Sequence, residues 1–266
     1  MVDERLLPGG FDPNLSNIAR MYDYYLGGKD HYEADRVRAE EAMAADPTLL
    51  TTIRGNRAFL GRAVRYLAER GVDQFLDIGT GLPTQQNVHQ IAQSVNPRAR
   101  VVYVDYDRQV VAHGRALLAG SDVTRMIQAD LRRPREILEH PEIKLLDFDR
   151  PVALLLVATL HFIPDESDPA GIMAELRDAL APGSHLALTH ASADGIPDVV
   201  ARVVEVYKRT SAPGTPRTRD QVTGLFGDFE LLDPGLVWAP LWRPERPVGL
   251  EEAKRTWFYA GVGRKL

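Results

Sequence analysis

The segment from Gln74 to Ala92, QFLDIGTGLPTQQNVHQIA, constrains this chain more than any other. An apolar run ends in Asp77, a turn follows in which Gly79 and Gly81 bracket Thr80, and then come residues able to carry a helix. That order puts a tight loop at the carboxyl end of a buried strand, where small residues let backbone N–H groups approach a ligand closely. A nucleotide-like cofactor suits such a loop.

From Gly71 onward, short apolar runs alternate with amphipathic spacers: QFLDIG, RVVYVDYD, TRMIQADL, PVALLLVATLHF and SHLALTHA. Runs of this kind predict an α/β fold, with parallel strands buried on both faces beneath covering helices. The spacer helices are expected near Thr84 to Gln93, Arg108 to Leu118, Arg135 to Leu138 and Pro169 to Leu180. Beyond Ala191 a helix should run through Tyr207, followed by the loop SAPGTPRTR and a short helix near Asp220 to Phe226. The prolines of FELLDPGLVWAPLWRP suit an edge strand or hairpin arm, with RTWFYAGVGRK as its antiparallel partner. Upstream the chain reads as all helix: a surface wrap over Met1 to Asn14, a helix from a Ser16 cap to Gly27-Gly28, a second from Asp30 to Ala45 and a third from Thr51 to Glu69. The expected division is a helical cover over residues 1–70 and one catalytic unit over 71–266.

Composition narrows the chemistry. With no cysteine, disulfides, thiolate nucleophiles, thiolate zinc sites and iron–sulfur clusters drop out together, and a cytoplasmic location is expected. The net charge of −5 gives no global attraction to nucleic acid. The N-terminal MVDERLLPGGFDPN lacks a basic region followed by an apolar core, and the run Val152 to Leu160 is too short for a bilayer, so neither secretion nor membrane insertion is expected. Asp147, Asp149, Asp165, Glu166 and Asp168 read as solvated loop acids rather than metal ligands, and no metal is expected.

A dinucleotide fingerprint would carry a third glycine where this chain has Thr84, which disfavours a pyrophosphate and with it a nicotinamide-dependent oxidoreductase. An acid two residues before the first glycine is instead the pattern of S-adenosylmethionine loops. Asp105 closes the next apolar run and can accept from both ribose hydroxyls. Asp130 ends the third, where its carboxylate can accept from an adenine amine while Leu131 lies against the ring. A single acid at a strand end is more often a helix cap. Three of them, in register with a glycine loop, form a line along one edge.

These segments resemble an actinobacterial family of S-adenosylmethionine-dependent methyltransferases once described as a domain of unknown function. The resemblance is carried by NIARMYDYYLGGKDHYEADR, FLDIGTGLPT, VVYVDYD, QADLRRP, PVALLLVATLHFIPD, APGSHLALTH, the RTR at Arg217 and the closing WFYAGVGRK. It implies a class I, Rossmann-like methyltransferase fold: an open, mostly parallel seven-stranded sheet with helices on both faces and an N-terminal helical lid. Two segments depart from the family's usual pattern. Tyr106 and Arg108 stand where Asn and Pro are common, Tyr106 being able to stack on adenine, and Thr189 precedes His190 where Ser is common.

The lid implied by the resemblance makes Tyr22, Tyr25, Lys29, Asp30 and His31 pocket candidates, although Met21, Tyr22 and Tyr25 also have the spacing of residues that simply pack on the sheet. His161 sits where class I enzymes present a polar residue to the acceptor, and it is either a general base or a satisfied histidine at the sheet rim. His190 is the second candidate base. The expected reaction is in-line methyl transfer to a small-molecule acceptor, releasing S-adenosylhomocysteine. A non-catalytic S-adenosylmethionine-binding module is the other reading.

Overall fold

Successive strand residues alternate between two hydrophobic cores. Phe75, Val101, Leu155 and Ala187 enter one core, and their chain neighbours Leu76, Val102, Leu154 and Leu186 enter the other. Side chains alternate across a strand, so unbroken apolar runs are what a sheet covered on both faces requires. The structure is a computed structural model and describes residues 12–83 and 86–266. Thr84, and the surface wrap expected before residue 12, lie outside the described residues.

Strands β1 (Gln74–Ile78), β2 (Arg100–Asp105), β3 (Thr124–Gln128), β4 (Ala153–Leu156) and β5 (His185–Ala191) pair in parallel in the order β3-β2-β1-β4-β5. On one face lie α1 (Ile18–Tyr25), α2 (Glu33–Ala45), α3 (Leu49–Ala68), α4 (Val88–Val95), α5 (Arg108–Leu117) and α8 (Pro197–Tyr207). On the other lie α6 (Pro134–Leu138), α7 (Pro169–Asp178), α9 (Arg219–Gly224) and α10 (Leu250–Lys254). Strand order reverses direction between β1 and β4, the place where open α/β sheets leave a crevice at their carboxyl ends. No described helix is long and apolar enough to cross a membrane.

The last part of the sheet is antiparallel. β8 (Phe258–Arg264) pairs with β5, setting His185 opposite Arg264 and Ala191 opposite Phe258. The expected hairpin arm is split into β6 (Glu230–Leu231) and β7 (Val237–Trp238), both paired with β8, so the sheet has eight strands rather than seven. Pro234 between them has no N–H for the ladder, which breaks the arm in two.

Other boundaries differ from expectation as well, α2 starting at Glu33 rather than Asp30. Asn17, not Ser16, caps α1, its side chain accepting from the N–H groups of Ala19 and Arg20. The apolar run PVALLLVATLHF is strand only to Leu156, because the N–H of Ala158 donates to Thr189 Oγ1 at 2.8 Å and leaves the ladder. The chain then turns, with Ala158 at φ +57°, into a short 3₁₀ turn over Leu160–Phe162.

Candidate functional site

A cavity of about 240 Å³ opens at the carboxyl ends of β1, β2 and β4. Asp77, Gly79, Thr80, Gly81, Asp105, Tyr106, Asp130 and Leu131 all line it. The glycine turn folds down onto the second acid: the N–H of Gly81 donates to Asp105 Oδ2 at 3.0 Å, while Asp105 Oδ1 accepts from the N–H of Asp107 at 3.0 Å. Gly79, at φ +75°, lies so close to the turn after β4 that a Cβ there would stand 2.4 Å from Thr159 Cγ2. The turn therefore needs glycine on two counts, backbone conformation and space.

Burial governs the acids. It pushes the Asp77 carboxyl up to about 7, against the opposing charge of Arg57 and a hydrogen bond from Thr80. It pushes Asp105 up to about 6, against the N–H groups of Asp107 and Gly81. Asp130 differs. Partial burial works to raise it, yet hydrogen bonds from Arg132 at 2.5 and 3.0 Å prevail and hold it below its ordinary value. Tyr106 is 46% exposed at the cavity rim.

The roof over this edge is α1, fixed by the polar side chains of Asp35, Asp23 and Asn17. Asp35, fully buried, accepts from Arg20 Nε at 2.7 Å and from the N–H groups of Asn17 and Tyr32, both at 2.8 Å. Asp23 Oδ2 accepts from the N–H of Asp30 at 2.9 Å and contacts His31 Nδ1 at 3.1 Å, closing the turn at Gly27-Gly28. Asn17 Nδ2 reaches across to Asp107 Oδ2 at 2.7 Å and ties the roof to the loop after β2. Of the lid candidates, Tyr22 lines the cavity, whereas Tyr25, Lys29, Asp30 and His31 do not. Tyr25 is buried against Tyr207, and its neighbours serve the turn.

The far wall is the turn after β4. His161 lines the cavity, 5% exposed, and its Nδ1 is buried with no hydrogen-bond partner. Burial, with the nearby His190 and the Arg217 charge, drives its pKa well below the ordinary histidine value, so the ring is neutral. His190 is fully buried and does not line the cavity. Its Nδ1 donates to the Ala191 carbonyl at 2.8 Å and its Nε2 accepts from Arg217 Nη1 at 2.9 Å, so both ring nitrogens are spent. Burial holds it down at about 4.

The pattern of the S-adenosyl methyltransferase family matches residues 7–266. The chain belongs to this family. A candidate methyltransferase of Thermobifida fusca is 45% identical, with 97% of this chain and 98% of that one covered at a TM-score of 0.91. A DUF574 family protein of Streptomyces avermitilis is 39% identical over 96% and 99% of the two chains, at a TM-score of 0.90. An O-methyltransferase family protein of Burkholderia thailandensis shares the fold at 13% identity, covering 86% of this chain and 60% of that one at a TM-score of 0.52. No curated protein matches the chain.

The protein is thus an S-adenosylmethionine-dependent methyltransferase with a class I Rossmann-like fold. Its donor set fits the cofactor. Acid side chains at the ends of three adjacent strands can accept from ammonium and hydroxyl groups, and Leu131 with Tyr106 offers apolar surface for a base.

Several residues of this methyltransferase's site escaped the sequence reading. Asn56 lies on the buried face of α3, donates from Nδ2 to the Tyr22 phenol at 2.8 Å and accepts from Thr189 Oγ1 at 2.7 Å. With the bond from Ala158 to Thr189, this chain of contacts links roof, sheet and His161 turn. The one available signal was a buried-face amide amid apolar residues. Arg57 and Tyr207 line the cavity from α3 and α8, and nothing local distinguishes them from other helical residues.

Proposed function

We propose that this methyltransferase acts on a small-molecule acceptor, with His161 as the general base. The observation that carries this is that one continuous cavity runs from the Asp77–Asp105 edge to His161 beneath α1. Asp77 would hold the ammonium of the cofactor, Asp105 its ribose hydroxyls, and Asp130 and Leu131 its adenine, with Tyr106 offering ring surface to the base. S-adenosylmethionine, when bound, supplies a methyl group on a positively charged sulfur. The protein's part is alignment, exclusion of water and removal of one proton.

His161 is suited to that last task. It is neutral and lines the cavity, so a nitrogen of its ring can receive the acceptor's proton. Tyr22 and the rest of α1 serve as the lid, and residues 1–70 form the cover of a catalytic unit over 71–266. A recessed cavity and a net charge of −5 both favour a small-molecule acceptor over nucleic acid, and the protein works in the cytoplasm.

The test is transfer of labelled methyl from S-adenosylmethionine into an actinobacterial extract, followed by fractionation. Label in low-molecular-mass products is expected, and label confined to RNA or protein overturns the reading. His161→Ala should abolish turnover while calorimetry shows S-adenosylhomocysteine still bound. Undiminished turnover removes His161 from the mechanism.

A further inference from the structure

We infer that the acceptor is a neutral aryl alcohol, seated against Phe162 and Tyr207 with its hydroxyl at His161; this rests on the methyltransferase reading above. The cavity is divided by charge. Its described charged side chains come from α1, α3 and the segments at the ends of β1, β2 and β3. The wall built by the turn after β4, by α8 and by the start of β8 presents Phe162, Val203, Val204, Tyr207, Trp257 and Phe258, and among its described residues no formal charge. A charged acceptor would give up its hydration there for no partner.

The shape of that wall is aromatic. The Phe162 and Tyr207 rings lie within 25° of parallel with centroids 6.0 Å apart, and the His161 ring stands 4.3 Å from Phe162 and 5.3 Å from Phe258. Ring faces and edges of this kind favour a planar unsaturated guest over a saturated one. Tyr207 spends its hydroxyl on Tyr25 at 3.3 Å, which leaves the His161 ring as the polar group this wall offers a guest among the described residues.

One neutral imidazole at the wall can take the proton of one hydroxyl. A weakly basic imidazole is matched to an aryl hydroxyl, whose acidity is near the tyrosine value of about 10, far better than to an aliphatic alcohol. In the step, an oxygen lone pair forms the bond to the methyl carbon as that carbon's bond to sulfur breaks, and sulfur keeps the bonding pair. The hydroxyl proton passes to a nitrogen of the His161 ring and then to water. The product is an aryl methyl ether.

The experiment compares naphthol with hydroxynaphthoate and decahydronaphthol, as ligands of the S-adenosylhomocysteine-loaded protein and as substrates with S-adenosylmethionine. Naphthol should bind at least about ten-fold more tightly than either and yield its methyl ether. Phe162→Ala should weaken naphthol binding about five-fold and leave S-adenosylhomocysteine affinity unchanged, which also reports that the variant is folded. If that variant does not fold, the three ligands on the unaltered protein decide. Equal or tighter binding of the charged or saturated analogue overturns the inference, as does no naphthol binding by protein that still takes S-adenosylhomocysteine. Failure to bind S-adenosylhomocysteine would strike the methyltransferase reading instead.

Discussion

Arg217 and His190 are joined at 2.9 Å, guanidinium to Nε2, and the same Arg217 side chain donates to the carbonyls of Leu160 and Ile163 at 3.2 and 2.8 Å. Those carbonyls flank His161, so a residue distant in sequence fixes the turn that carries the candidate base. Arg217 also pairs with Asp165 at 2.6 Å, but that carboxylate is 67% exposed and adds little.

Arg217→Ala leaves two carbonyls and one imidazole nitrogen without their donor. Each unsatisfied buried group costs about 1–3 kcal/mol, and water entering the gap offsets part of the sum, so a loss of about 3 kcal/mol is expected in urea unfolding. Turnover should fall mainly through kcat, with S-adenosylhomocysteine affinity nearly unchanged. Unaltered stability would show that the clamp is not what holds the turn.

Thr189 offers a cleaner separation. Its hydroxyl accepts from Ala158 and donates to Asn56, so Thr189→Ser keeps both bonds and should stay within about 1 kcal/mol of the parent. Thr189→Val has the same shape without the hydroxyl and should cost about 2–4 kcal/mol, because two buried groups lose their partner. Equal thermal midpoints for the two variants would contradict this.

Gly28 and Asp23 form a coupled pair. A Cβ at Gly28 would stand 1.9 Å from Asp23 Oδ1, and moving that carboxylate breaks its bonds to Asp30 and His31. Gly28→Ala should therefore destabilise by about 1–3 kcal/mol. In the Asp23→Ala background the same change should cost far less. A double-mutant cycle with no coupling energy is the result that would sink this account.

The acids make cofactor affinity depend on pH. Asp77 and Asp105 titrate at about 7 and about 6 in the folded protein, above the unfolded carboxyl value near about 4. Between those limits the ligand-free fold holds more protons than the unfolded chain, so this contribution to stability declines as pH rises through the window. Cofactor hydroxyls and ammonium favour the ionised forms. S-adenosylhomocysteine should bind more tightly at pH 7.5 than at pH 5, by up to about ten-fold through Asp105 alone, and Asp105→Asn should remove that share of the rise. Titration calorimetry at the two pH values checks it, and a wild-type affinity that does not change would show that these carboxyls do not meet the ligand.

What the sequence determined follows from repeating local patterns. Two-faced apolar runs such as Val101 to Val104 can only be strands buried on both sides, and a glycine-bracketed turn after Asp77 can only close tightly. The family resemblance carried by the string around Asp23, Gly28 and Asp35 implied the lid before its contacts were visible. Tertiary structure decided what depends on meetings between distant elements: Pro234 splitting an arm into β6 and β7, Thr189 drawing Ala158 out of β4, Asn56 reaching Tyr22, and Arg217 occupying His190 while His161 Nδ1 stays unpartnered. Two histidines with similar local sequence thus fall into different roles, because a buried side chain's chemistry is set by whichever donors and acceptors the fold brings within hydrogen-bond reach.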